Sequence, residues 1–459
     1  MSLIATSQRE LVIGLGATGK SVVRYLLRNG YAPVVADSRD HPPGLGPFRR
    51  EFPQVPVETG SLSPDTVLAA SEIIASPGIA LAEPVLQRAI DAGIPVIGDI
   101  ELFARALARE KSSLKLAAVT GSNGKSTVTT LLGRMAEAAG KTVRIGGNIG
   151  VPVLDLLQEP IPQLYVLELS SFQLETTYSL TPTVATVLNL SADHMDRYPG
   201  MVEYHRAKQR IYRHAQQFVI NRADPLTRAP LSRGKCEWSF GLDQPDLNQF
   251  GVRTVGGQNW LAQGAKALLP VDALAMVGRH NVANALAALA MGNAVNLPMD
   301  AMLSVLRTFR GLPHRCERTA DLDGVVYVND SKGTNVGATQ AALDGLATAT
   351  RKIVLIAGGD GKGADFSALS NSAAALRAMV SIGSDGDRVA EVFAGKCTIR
   401  RAASMTEAVA LARSLAHSGD YVLLSPACAS FDMYRNFEAR GEDFRQVVAA
   451  LCESTGGAR

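Results

Sequence analysis

With 459 residues, 46% of them hydrophobic, the chain is larger than one hydrophobic core serves, so two or three domains are expected. Its 46 Lys and Arg against 43 Asp and Glu leave a net charge of +3 and no basic block able to track a phosphate backbone, which excludes nucleic acid as the main partner. The longest apolar stretches, such as KLAAVTG and YVLLSPACA, are too short for membrane insertion, and Cys236, Cys316, Cys397, Cys428 and Cys452 form neither a CxxC pair nor a zinc-like spacing. A soluble, cytoplasmic chain with reduced thiols is the expectation.

The first segment, LVIGLGATGKSVVRYLLRNG, reads as a short apolar strand, a glycine turn and a helix with Val22, Val23, Leu26 and Leu27 on one face. PVVADSR follows as a strand ending at Asp37, SEIIASPGI as one ending in a Pro-Gly turn, and IPVIGDIELFARALA as a strand entering a helix. Gly14, Gly16 and Gly19 complete GxGxxG with Asp37 at the end of the next strand, formally a dinucleotide fingerprint. Taken alone, this segment supports an NAD-dependent dehydrogenase.

The second segment opens at LKLAAVTGSNGKST, a strand, a glycine loop and then the helix STVTTLLGRMAEAAG. LYVLELSS and TVATVLNLSADH are two more core strands with polar C-terminal ends, the edge at which open α/β sheets bind ligands. Short alternations from Gly234 to Pro270 suggest a small antiparallel excursion. NVANALAALAMGNAVN is an Ala-rich helix, and GLPHRCER is a hinge into the third segment. There GVVYVND, KIVLIAGGDGKG, AMVSIGSDG and DYVLLSPACASFD alternate with helical patterns and give another doubly wound sheet. The expected architecture is α/β in three domains, 1–106, 107–311 and 312–459.

Gly124, Lys125 and Ser126 have the GK[ST] ending of a P-loop, but Val119 stands where that motif requires its first glycine. What remains is a tighter turn, Gly121-Ser122-Asn123-Gly124-Lys125-Ser126-Thr127. It still has the chemical parts for a nucleotide triphosphate: backbone amides at a helix N-terminus, a lysine for phosphate charge and a hydroxyl for Mg²⁺.

TGSNGKST resembles the ATP loop of the Mur ligase family, which also includes the folylpolyglutamate synthases. The resemblance runs through GGNIGVP, LELSSFQLE, LNLSADHMDRY, RAKQRIY, GRHNVANALAA, GLPHR, VNDSKGTN, AGGDGKGADF and LLSPACASFDMYRNFEARG. Most of these are weak motifs singly; in this order they are specific. NDSKGTN and SPACASFDMYRNFEARG resemble the branch that adds D-glutamate. The resemblance implies a Rossmann-like N-terminal domain binding UDP, a P-loop ATPase-like central domain with a parallel sheet, and a Rossmann-like C-terminal domain binding the amino acid. It implies ATP-driven ligation of D-glutamate to UDP-N-acetylmuramoyl-L-alanine through an acyl-phosphate in peptidoglycan precursor synthesis, with two Mg²⁺ and a monomeric enzyme. A sister ligase for another amino acid is the alternative.

Residue by residue, the resemblance implies Gly121 to Thr127 at the ATP phosphates, with Ser126 and Glu168 at a first Mg²⁺. His194 and Lys208 are implied at a second, Lys208 as a carbamate. On composition Lys208 is a solvated charge on a helix face. Asn281 and Asn284 are implied at adenine, and Arg315 and Asp330 at the nucleotide phosphate and ribose. For the UDP substrate the implied residues are Leu15, Gly16, Ala17 and Thr18 at the diphosphate and Asp37, Ser38 and Arg39 near uracil and ribose. Ser76, Pro77 and Gly78 would close that pocket and Asn148 would touch the sugar-linked part. Lys332, Thr334, Lys362, Ser430, Phe431 and Phe437 are implied for D-glutamate, two lysines suiting a substrate with two carboxylates. The second phosphate loop with Glu168 and DHMD argues against the dehydrogenase. A sensor in which ATP only moves domains would release no amino-acid-dependent ADP.

Overall fold

A computed structural model describes residues 9–110, 114–195, 197–230, 236–276, 278–347 and 351–455. Among these residues no helix is long and apolar enough to cross a membrane.

Three sheets follow one another along the chain. The first contains β1 (Glu10–Ile13), β2 (Val34–Asp37), β3 (Val57–Thr59), β4 (Glu72–Ala75) and β5 (Val96–Ile97), all parallel, in the order β3-β2-β1-β4-β5. The order reverses direction at β1, so the turn after β1 opens into a crevice at the carboxyl edge. Gly14 makes that turn at φ +106°, and a Cβ on Gly19 would stand 1.8 Å from the Gly14 carbonyl oxygen, so only glycine lets the following helix Ala17–Arg28 approach the strand. The helix Asp99–Ala108 continues past the boundary expected at 106.

The central sheet has nine strands: β6 (Lys115–Thr120), β7 (Val143–Gly147), β8 (Leu164–Glu168), β9 (Val184–Val187), β10 (Gln217–Asn221), β11 (Cys236–Phe240), β12 (Gln249–Val255), β13 (Gln258–Gln263) and β14 (Lys266–Pro270). Their order is β14-β13-β12-β11-β10-β9-β6-β8-β7. The antiparallel excursion consists of β12 to β14, whereas β11 pairs parallel with β10 and with β12 and extends the main sheet. Alternation along β6 explains the layering. Ala117 and Val119 pack on the helices Lys125–Ala138 and Arg279–Ala294, while Leu116 and Ala118 share a core with Val12, Val22 and Phe103 of the N-terminal domain. The first two domains therefore bury apolar surface against each other. Polar contacts supplement it: Arg24 pairs with Asp155, and Glu101 accepts from the Tyr178 and Ser179 amides and the Ser179 hydroxyl.

The third sheet holds β15 (Glu317–Leu322), β16 (Val325–Asn329), β17 (Ile353–Ala357), β18 (Leu376–Ser381), β19 (Thr398–Arg401) and β20 (Tyr421–Leu424), in the order β15-β16-β20-β17-β18-β19. Only the β15–β16 hairpin is antiparallel. The carboxyl ends of β16, β17 and β20 carry the loops singled out for the amino acid.

Candidate active site

The register of the central sheet builds the phosphate loop. Val119 of β6 lies opposite Glu168 of β8, and Thr120 opposite Val187 of β9, so the turn after Thr120 emerges between Glu168 and the segment Leu188–Asp193. Gly121 (φ +146°) and Gly124 (φ +83°) turn the chain into the helix Lys125–Ala138. The loop is pinned from the β9 side. Asn189 accepts from the Asn123 amide and donates to the Asn123 carbonyl at 2.8 and 3.0 Å, the Ser122 amide donates to the Asn189 carbonyl at 2.9 Å, and Ser122 Oγ meets the Ser191 backbone and Tyr204 Oη. Such bracing preorganises amides at a helix N-terminus, where an anion is stabilised. Lys125 Nζ donates to the Gly121 and Ser122 carbonyls, both at 2.9 Å, and burial lowers its pKa.

Ser126 and Glu168 come together as the sequence suggested. Ser126 Oγ donates to Glu168 Oε2 at 2.6 Å, and the other carboxylate oxygen accepts from Asn148 Nδ2 at 2.8 Å. Asn148, expected at the sugar-linked part of a substrate, thus also orients Glu168. From the third domain Arg315 Nη2 donates to Ser126 Oγ at 2.7 Å, 189 positions away in sequence. The C-terminal domain is therefore closed on the phosphate loop. Among the described residues no cluster of three or more His, Cys, Asp or Glu side chains gathers as a metal site. The hydroxyl–carboxylate pair fits a hard cation whose remaining oxygens come from phosphate and water, which is how Mg²⁺ is usually held.

Lys208 is not the solvated charge that composition suggests. It is 2% exposed, donates to the Gly121 carbonyl at 2.9 Å and lies 4.8 Å from the centre of the Tyr204 ring. Burial lowers its pKa well below the usual lysine value, and Lys125 pushes it the same way. His194 is more open. It has a left-handed backbone (φ +59°), its Nε2 is 3.7 Å from Asp193 Oδ2, and its ring packs edge-on against Phe172 at 4.9 Å. Phe172 also carries Arg197, whose guanidinium donates to the Ile79 carbonyl at 2.9 Å and the Gly78 carbonyl at 3.4 Å. The Ser76-Pro77-Gly78 turn is thereby tied through Arg197 to the Phe172 ring on which His194 packs.

Asn284 Nδ2 donates to Asn281 Oδ1 at 3.1 Å, and a Cβ on Gly124 would stand 2.5 Å from Asn284 Oδ1, which puts this pair directly beside the phosphate loop. Asp330, buried, accepts from Ser425 Oγ and the Cys316 amide, and burial raises its pKa to about 6.

In the first domain Asp37 is a brace. Its oxygens accept from the Leu15 amide at 2.8 Å and from the Arg39 guanidinium at 2.8 and 2.7 Å, and Arg39 holds its pKa down at about 2. A carboxylate occupied in this way is not presented to a ribose diol as the dinucleotide fingerprint requires. Gly16, Ala17 and Thr18 begin the helix above it, Ser38 and Arg39 are exposed, and Ser76 Oγ is buried without a hydrogen-bond partner beside Gly14.

The third-domain residues fall into two groups. Lys332 Nζ sits 4.0 Å over the Phe437 ring, and burial with Arg315 and Lys125 nearby lowers its pKa to about 8. Thr334 is two residues on, and Ser430 is buried at the base of the loop after β20. Lys362, exposed, with φ +47°, approaches the exposed Phe431 ring at 5.5 Å. Sequence reasoning missed Arg440. Its buried guanidinium donates to Ser331 Oγ and to the carbonyls of Ser331, Cys428 and Ala429, tying the loop after β16 to the loop after β20. The run NFEARG, part of the motif that resembles the D-glutamate-adding branch, contains it, but nothing in its spacing shows that the guanidinium is buried.

Comparison with known proteins agrees with this geometry. Residues 8–98 match the family description Mur ligase MurD-like, N-terminal domain; 119–292 match the Mur ligase middle domain; 314–428 match the Mur ligase, glutamate ligase domain. The UDP-N-acetylmuramoylalanine--D-glutamate ligase of Pseudomonas fluorescens strain Pf-5 is 53% identical over 98% of this chain and 100% of its own length, and that of Marinobacter nauticus is 50% identical over the same shares. Among solved structures, the MurF ligase of Thermotoga maritima in complex with ADP aligns with TM-score 0.61 at 16% identity, covering 99% of this chain and 98% of its own. The UDP-N-acetylmuramate-alanine ligase of the same organism aligns with TM-score 0.57 at 19% identity, covering 97% and 99%. At such low identity these two alignments show the shared fold alone, and the full-length relatives with the three domain matches show that the chain belongs to the Mur ligase family.

Proposed function

We propose that this chain joins D-glutamate to UDP-N-acetylmuramoyl-L-alanine at the expense of ATP, in peptidoglycan precursor synthesis. The observation that carries the mechanism is the convergence of Lys125, Ser126, Glu168 and Arg315 on one loop. A carboxylate does not react with an amine at useful rates because oxide is a poor leaving group. Transfer of the γ-phosphoryl group to the terminal carboxylate of the first substrate, with ADP leaving, converts that oxide to phosphate. The D-glutamate amine then attacks the acyl carbon, phosphate leaves, and the amine loses a proton as the amide forms.

Such a transfer is catalysed by alignment and by positive charge on the phosphoryl oxygens. The Gly121–Thr127 amides and Lys125 hold the phosphates, and Arg315 reaches them only when the C-terminal domain is closed. Asn281 and Asn284 face adenine; Asp330 faces the ribose. Two Mg²⁺ would neutralise and align the phosphate and carboxylate oxygens. Ser126 and Glu168 would hold the first. His194 and a carbamate on Lys208 would hold the second: the buried, proton-poor Lys208 amine suits attack on CO₂, which gives the carbamate and one proton. Leu15 to Thr18, Asp37 to Arg39, Ser76 to Gly78 and Asn148 take the UDP substrate. Lys332, Thr334, Lys362, Ser430, Phe431 and Phe437 take D-glutamate. The reading includes a monomeric, cytoplasmic enzyme.

Phosphate release with the UDP-muramoyl-L-alanine acceptor, ATP, Mg²⁺ and a panel of amino acids tests the reading. D-glutamate alone supports turnover. Equal turnover with L-alanine or meso-diaminopimelate moves the chain to a sister ligase, and ADP release in no case overturns the proposal.

A further inference from the structure

The C-terminal domain meets the central domain along the helix Val336–Leu346, and small residues make the contact. At its N-terminal end Asn335 Nδ2 donates to Asp193 Oδ2 at 3.2 Å, and a Cβ on Gly337 would stand 2.7 Å from Ser191 Oγ. Two turns further, Gly345 faces His280, the second residue of the Ala-rich helix Arg279–Ala294. A Cβ on Gly345 would stand 2.6 Å from His280 Nδ1 and 3.5 Å from the Arg279 amide nitrogen. At the same Nδ1–Cε1 edge a Cβ on Gly278 would stand 2.8 Å from His280 Cε1. The imidazole thus fills a slot between one glycine of each domain.

Neither Gly337 nor Gly345 serves its own backbone. Both lie inside a helix and neither has a positive φ. Gly337 and Gly345 lie in the first and last turns of that helix, where glycine without a positive φ brings its backbone no advantage over alanine. Gly337, Ala341 and Gly345 form one i, i+4, i+8 row, the kind of ridge along which helices interlock when side chains are small. Close approach of the two domains is what the two glycines gain. The approach matters chemically because His280 adjoins Asn281, Asn281 is bonded to Asn284, and Asn284 abuts Gly124 of the phosphate loop.

We propose that Gly345 and His280 form the seating contact that fixes how far the C-terminal domain closes onto the central domain. Both are then positioning residues for the ligation proposed above, on which this inference rests. A methyl group at Gly345 must move away from the imidazole by most of an ångström to reach ordinary contact, and Arg315 and Lys332 move with the domain that carries them. A displacement of about 1 Å in a reacting constellation costs on the order of 10² in rate.

Gly345→Ala is therefore expected to lower kcat by about 10²-fold and to raise the KM for D-glutamate. ATP binding measured without the amino acid should weaken far less than turnover, since the Gly121–Thr127 loop, Asn281 and Asn284 all belong to the central domain, and thermal stability should not fall, since alanine favours the helix. His280→Ala added to Gly345→Ala should restore much of the lost turnover by vacating the slot. Small-angle scattering with nucleotide and UDP substrate should show a larger radius of gyration for Gly345→Ala than for wild type or the double variant. Wild-type turnover in Gly345→Ala, or a double variant no better than the single, overturns the seating contact. So does a Gly345→Ala protein that melts early and no longer binds ATP, because Gly345 would then serve local folding. If wild-type protein releases no D-glutamate-dependent ADP, the ligase reading falls, and scattering alone decides the seating contact.

Discussion

Replacing Glu168 by glutamine keeps the shape of the side chain and removes its charge, so it isolates what the carboxylate does. In the folded protein the two oxygens accept from Ser126 Oγ and Asn148 Nδ2, and the side chain is 2% exposed. Glutamine retains one acceptor and presents an NH₂ where a donor already points. The charge-assisted bond from Ser126 Oγ is lost, and the hydroxyl must turn to accept from the new NH₂, at a cost of about 1–3 kcal/mol in local stability. The charge matters further because Lys125, Lys208 and Arg315 each feel Glu168 as a stabilising neighbour. For turnover, loss of one preorganised charge-bearing group typically costs about 10²–10³ in kcat, or about 2.7–4 kcal/mol. The assay is ADP release dependent on D-glutamate, followed across a Mg²⁺ titration. The expected result is a kcat reduced by that factor and a weakened dependence on Mg²⁺, with the KM for the UDP substrate little changed. A loss smaller than about tenfold, 1.36 kcal/mol, with an unshifted Mg²⁺ titration, refutes the assignment of Glu168 to the metal.

Lys208→Ala should abolish most turnover and regain part of it with added short carboxylates, which supply the oxygens of the missing carbamate; activity near wild type removes that role. Lys332 titrates near pH 8 in the folded protein, below the usual lysine range. Its positive charge is therefore lost as pH rises through about 8, and the KM for D-glutamate should climb there. Lys332→Arg, which stays charged, should flatten that rise, and an unchanged pH profile counts against the contact. The unfolded chain binds the extra proton between about 8 and the ordinary lysine pKa, so this group makes the fold more stable as pH rises through that window. Lys362→Ala should raise the KM for D-glutamate far more than that for ATP, and equal effects in titrations of each substrate argue against the pocket. Asp37→Asn should remove stability that wild type holds above the ordinary carboxylate pKa and loses as pH falls toward about 2, because Asp37 is depressed in the fold; acid-melting curves that coincide would show its brace to be idle.

Strand-then-glycine punctuation made the core of each domain legible, because β1, β6, β8, β16, β17 and β20 are apolar runs ending in turn or polar residues at the binding edge. Strands such as β3, β15 and β19 escaped notice because they are short or polar edges, with no apolar run to mark them. Ser126 and Glu168 were readable because each ends or begins an element whose register is set by the sheet. Lys208 was readable by resemblance only: its helix shows weak amphipathic contrast, and what buries the amine is the phosphate loop that folds over it from 87 positions away. Asn189, Ser191, Tyr204 and Arg440 were missed for the same reason, since each meets a partner far away in sequence that spacing does not bring near.

The charge balance of the closed site explains why closure and ligand binding belong together. Lys125, Lys208, Lys332 and Arg315 converge where Glu168, Asp193, Asp330 and Glu438 are the neighbouring carboxylates, and burial lowers the pKa of every one of those four cations. Cations brought out of water repay their desolvation only when anions meet them. The triphosphate and the substrate carboxylates would supply further anions, and carbamylation of Lys208 would turn one cation into an anion. A ligand present at 100 times its dissociation constant stabilises the form that binds it by about 2.7 kcal/mol, which would favour the arrangement with the C-terminal domain against the phosphate loop. The buried cations that the two domains bring together are thus the groups through which ATP and both substrates would favour closure.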